Sequence, residues 1–206
     1  MSRSKKLIVT ALFLIGACIL LYPAVSNKLA ERHQAEMISR YEQTVEELPK
    51  TDMKSEWEKA VKYNESVTGM SVEDPFILGS GSVLPGNYKD VLNVEEKEGV
   101  MGYIEIPAID VMLPIYHGVS ERVLRRGVGH METTALPIGG KGTHSVLASH
   151  RGLSTAKLFT DLDRMKEGSL FYIHVLDHLL TYEVDQISVI EPEDTDALRP
   201  IADKEY

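Results

Sequence analysis

Residues 7–25 read LIVTALFLIGACILLYPAV and contain no charged side chain. At 1.5 Å rise per residue, these nineteen positions make a helix of about 28 Å, the thickness of a bilayer's hydrocarbon core. Arg3, Lys5 and Lys6 precede the run, and the first acidic residue is Glu31. That asymmetry places residues 1–6 in the cytoplasm and everything after about residue 27 outside. Three readings fit the segment. An uncleaved, single-pass signal anchor is favoured, because the run is long enough to span and lacks a good small-x-small cleavage site. The others are a cleaved signal peptide and a lipoprotein signal built on Ile15-Gly16-Ala17-Cys18. All three send the bulk of the chain out of the cytoplasm.

Composition narrows the remainder. The chain carries 22 basic and 31 acidic residues in 206, a net charge of −9, which argues against a general nucleic-acid binder. Cys18 is the single cysteine, so no internal disulfide and no cysteine zinc site can form. Inside the lipid it reads as a small apolar residue, not a nucleophile for chemistry outside the cell. There is no HExxH pattern, acidic metal cluster or Gly-rich phosphate loop, so neither a metal nor a cofactor is expected.

After the apolar run, Leu29, His33, Met37, Tyr41, Val45 and Leu48 recur at helical spacing until Pro49. Asp52 can cap a second helix carrying Met53, Trp57, Ala60, Val61 and Asn64 on one side, closed by Gly69. Residues 28–69 thus read as a helical stalk. Residues 70–98 read as a loop, broken by Pro75, Gly79, Gly81, Pro85 and Gly86. Its Asp74-Pro75-Phe76 is either a surface turn or a stiff acid-plus-aromatic tip able to occupy a groove.

From Gly99 the pattern turns to short strands: residues 101–106, 111–116, 127–130 and 144–149, with a hairpin of residues 169–176 and 179–190 around Asp177-His178. Residues 155–165 read as a short helix with Leu158, Leu162 and Met165 on one side. Closely spaced strands outnumber helices, which indicates a β-barrel or sandwich. Of seven histidines, His150 stands apart. It follows an apolar strand and opens the loop Arg151-Gly152-Leu153, where an imidazole can donate a proton or sit as an ordinary solvated side chain.

Taken in order, these pieces resemble the sortases, and among them the class C, pilus-assembling branch. The most specific stretch is GHMETTALPIGG (residues 129–140), then THSVLASHRG (143–152), then KLFTDL (157–162). The strand Tyr103-Ile104-Glu105-Ile106-Pro107 and the tip Asp74-Pro75-Phe76 also match, the latter as the lid motif of class C. The resemblance implies a mainly β protein, an eight-stranded barrel over residues 99–206 preceded by helices and a transmembrane helix. It implies a Gram-positive cell-surface cysteine transpeptidase that cuts LPxTG-like signals of pilins through a thioester and joins pilins by isopeptide bonds. His150 matches the family's catalytic histidine, and Asp74 and Phe76 would fill the resting site.

The family's motif then continues with a strand ending in the catalytic cysteine and a strand carrying an arginine. No cysteine follows Cys18, and Arg199 lies on the wrong side of the missing nucleophile to take the arginine's role. The expectation is a barrel lacking its last two strands, with the catalytic cysteine and arginine beyond Tyr206. Such a chain would be inactive by itself. The alternative is a membrane-anchored, non-enzymatic degenerate sortase or surface binding protein.

Overall fold

In the computed structural model, residues 3–67, 86–94, 99–191 and 204 are described. Helix α1 runs unbroken over Arg3–Glu47. The apolar run and the first stalk stripe, read as separate pieces, are one rod that passes through Pro23 without ending. None of its membrane-length apolar window is buried inside the protein. Helix α2 spans Lys50–Val67, and the break between the two falls at Leu48 and Pro49, where proline lacks an N–H.

The buried face of α1 is Gln34, Met37, Ile38 and Tyr41. Leu29, at the start of the expected stripe, is 60% exposed. On α2 the buried face is Ala60, Tyr63, Asn64 and Val67, and Val61, expected inside, is exposed. Apolar spacing identified both helices. The rotation of each about its axis came from the partner surface.

Among the described residues six strands form one mixed sheet: β1 Val100–Ile106, β2 Val111–His117, β3 Val128–His130, β4 Leu147–Ala148, β5 Leu170–Val175 and β6 His178–Glu183. Their order is β4-β3-β2-β1-β5-β6. Among the described residues only β2 and β3 pair in parallel, Ile115 opposite Val128. A parallel pair needs a crossover, and here it includes the short helix α3, Glu121–Leu124, which periodicity did not reveal. A cleft of about 350 Å³ is lined both by Leu147 of β4 and by Tyr182 of β6. The two end strands therefore face one another, and the sheet is curled into a half-barrel.

Three local expectations are corrected. Residues 155–165 form no α-helix but turns and a single 3₁₀ turn at Leu162–Arg164. The buried Leu158 adopts a left-handed φ of 44°, which interrupts helical winding, and Leu162 faces solvent. The strand expected at 144–149 is reduced to two half-buried residues. The hairpin turn is Leu176-Asp177, with His178 already paired to Val175, and its second arm stops at Glu183.

The core gathers β1, β2 and β5 with the α2 face and the segment 88–92. Tyr88, Val91 and Leu92 are essentially fully buried, so the end of the stretch read as a loop is core. A second cluster seats Ile38 and Tyr41 of α1 on Val100, Tyr103 and Tyr116. Each such side chain removed from water contributes roughly 1.5–3 kcal/mol.

Candidate active site

The chain leaves β4 at Ser149-His150. Ser149 Oγ donates to the Gly127 carbonyl at 2.8 Å, which fastens the exit to the start of β3. The Phe159 amide donates to the His150 carbonyl at 3.1 Å, so the loop that leaves His150 returns to it. His150 is thus held at its backbone while 32% of its side chain stays exposed.

Its ring is held by a residue 29 positions earlier. His150 Nε2 lies 3.1 Å from Glu121 Oε2, and Arg125 Nε donates to Glu121 Oε1 at 2.6 Å. Glu121 opens α3, where a carboxylate is favoured by the helix dipole. The Arg125 hydrogen bond, followed by the charge of His150, holds the Glu121 carboxyl below the usual carboxylate range. A carboxylate oxygen on one ring nitrogen fixes the orientation of the imidazole. The arrangement can carry a proton to or from a reacting group.

Gly129 supports this geometry from beneath. A Cβ there would stand 2.4 Å from the Gly118 carbonyl oxygen and 3.1 Å from Val123 of α3. Only glycine lets β3 approach the segment that carries Glu121 so closely.

His130, by contrast, is fully buried. Its Nε2 is 2.8 Å from the Ala135 carbonyl, which can only accept, so the proton sits on Nε2. Tyr88 Oη then donates to Nδ1 at 2.9 Å. Burial depresses its pKa to about 4, leaving a neutral structural strut with no exposed nitrogen. His144 lines the cleft between β4 and β6, and His150 does not. His174 faces Glu105 across β5 and β1, and His178 stacks on Trp57 of α2 at 3.7 Å.

Asp74, Pro75 and Phe76 lie outside the described residues. Glu121, an acid four residues before an arginine, was visible in the sequence, but its meeting with His150 was not.

The curled half-barrel and the motifs strung along it have counterparts in known proteins. The sortase domain family model matches residues 104–206. The crystal structure of Streptococcus pneumoniae sortase C is 39% identical and superposes with a TM-score of 0.73, covering 82% of this chain and 84% of that one. Clostridium perfringens sortase C, solved with the C-terminal cell wall sorting motif, is 38% identical with a TM-score of 0.69, covering 83% and 85%. Sortase A of Listeria monocytogenes is 26% identical over 189 residues, 91% of this chain and 75% of that protein. The chain belongs to the sortase family.

Proposed function

We propose that the chain serves a pilus-building, class C sortase: a membrane-tethered transpeptidase outside the cell that joins pilins bearing LPxTG-like signals. The observation that carries the reading is His150, half-buried at the exit of β4 and oriented by Glu121. Its support is the family match and the likeness to sortase C structures.

The chemistry assigns His150 two proton transfers. A cysteine thiolate attacks the threonine carbonyl of the signal, and the bond to glycine breaks as His150 gives its proton to the leaving amine. A lysine amine of the next pilin then attacks the thioester and yields a proton to neutral His150. The thiolate departs and an amide remains. Asp74-Pro75-Phe76 would cover the site between turnovers.

Cys18 cannot be the sulfur, since it lies within the apolar run of α1. The proposal places the nucleophile, and the arginine that would steady the oxyanion, beyond Tyr206.

The test offers a fluorogenic LPxTG-type peptide and a lysine-bearing pilin to the 206-residue chain and to a version extended by its downstream coding sequence. The extended protein should cleave and join, and His150→Ala should abolish both. Turnover by the 206-residue chain alone would overturn the reading.

A further inference from the structure

Helix α1 acts as a ruler between the apolar run and the β domain. From Ser26 to Glu47 it contains neither proline nor glycine, so each residue advances about 1.5 Å. The contacts it makes therefore measure how far each part of the domain stands from the membrane-length segment. Ser26, the first residue after the run, donates through Oγ to the Thr155 carbonyl at 3.3 Å. Ala30 already packs on the main core. Gln34 Nε2 donates to the Arg126 carbonyl at 3.2 Å, about 12 Å further along the axis. Tyr41, about 22 Å beyond Ser26, holds Met101 and Leu176.

No spacer separates the apolar run from the domain. The headgroup layer extends roughly 5–8 Å beyond the hydrocarbon on each side, about the rise from Ser26 to Ala30. Whatever touches Ser26 shares that layer. The segment that does so is the loop His150 opens, residues 151–157. Its outward groups suit a zwitterionic, phosphate-bearing surface. Ser154 is exposed, and Arg151 is 62% exposed with one nitrogen 3.0 Å from Asp163. Arginine carries five donors, so that bond leaves others for phosphate.

The geometry points to a lipid contact: the loop of residues 151–157 sits in the headgroup layer of the membrane that α1 spans, and fixes the height of His150 above it. This rests on the anchor reading of residues 7–25. The tether then does more than retain the domain near a membrane. It docks one edge of it, with the β5–β6 turn pointing away.

The full chain in phosphatidylcholine–phosphatidylglycerol vesicles tests this with an environment-sensitive fluorophore at one cysteine per sample. The native Cys18 reports the anchor. Ser154→Cys and Asp177→Cys, each with Cys18→Ser, report the loop and the distal turn, and Arg151→Cys provides a second loop position should Ser154→Cys not fold. A nitroxide on the lipid headgroup should quench the loop label several-fold more than the label at 177, which aqueous iodide should quench instead. Acyl-chain nitroxide should quench the Cys18 label. If Cys18 is shielded in hydrocarbon while the loop and distal labels are equally open to iodide, the docking is wrong and the anchor stands. If Cys18 itself is open to iodide, the anchor fails and the docking with it.

Discussion

The hydroxyl of Tyr41 accepts the Leu176 amide at 2.8 Å across 135 residues of sequence. It donates to the Met101 carbonyl at 3.2 Å, so one phenol ties α1 to β1 and to the β5–β6 turn. Leu176 has φ 51°, and its amide points out of the hairpin toward the helix. Burial raises the Tyr41 pKa well above the ordinary phenol value, and the group remains a neutral donor.

Tyr41→Phe should keep the packing and lose both bonds, leaving a buried amide and carbonyl unpaired. The expected cost is about 1–3 kcal/mol of stability. Urea unfolding in detergent, followed through the emission of Trp57, measures it, because that indole stacks on His178 at the same hairpin. A midpoint equal to wild type would show that the bond is dispensable.

His130 makes the fold acid-sensitive. Its folded pKa is about 4, against about 6.5 in an unfolded chain. Between those values the unfolded state binds a proton that the folded state refuses. Stability is therefore retained above pH 6.5 and lost as pH falls toward 4, by up to about 3 kcal/mol. His130→Asn should be less stable at pH 7 but show a shallower decline over that window. Parallel pH profiles for the two proteins would remove His130 as the cause.

Gly129→Ala places a methyl against the Gly118 carbonyl and Val123. Backbone cannot rotate away as a side chain can, so β3 and α3 must separate. A loss of roughly 1–3 kcal/mol is expected, together with disturbance of the Glu121–His150 contact. Unchanged thermal stability would contradict the crowding.

Asn64 offers its amide to the Leu136 backbone in both directions, Nδ2 to the carbonyl at 3.2 Å and Oδ1 from the amide at 2.7 Å. Asn64→Ala should destabilise by about 1–3 kcal/mol for each buried group left unpaired. Asn64→Asp retains an acceptor for the amide but sets a carboxylate against a carbonyl, so it should not rescue. Recovery in the aspartate variant would show that only the Leu136 amide matters.

In the extended protein of the functional test, Glu121→Ala should slow turnover without abolishing it. Glu121 is 59% exposed, so solvent limits the effect to at most about fivefold. Glu121→Asp should recover only part of it, because its shorter side chain reaches less far toward the His150 ring. Wild-type rates and an unchanged pH profile in Glu121→Ala would show that His150 is oriented by its backbone alone.

The amino-acid order by itself determined the membrane-length helix, the β1–β2 and β5–β6 strand patterns, and His150 at the end of a strand. Each is written in the chemistry of near neighbours: an unbroken apolar run, short apolar, β-prone runs cut by turn residues, and a polar residue following apolar ones. Tertiary structure alone decided that α1 turns Gln34 and Ile38 inward, that Leu158 breaks the expected helix, that Tyr88 and His130 are buried struts, and that Glu121 meets His150. Those outcomes depend on surfaces brought together by a parallel crossover and a curled sheet. Local periodicity reports which side of an element is apolar, but carries no record of what that side will touch.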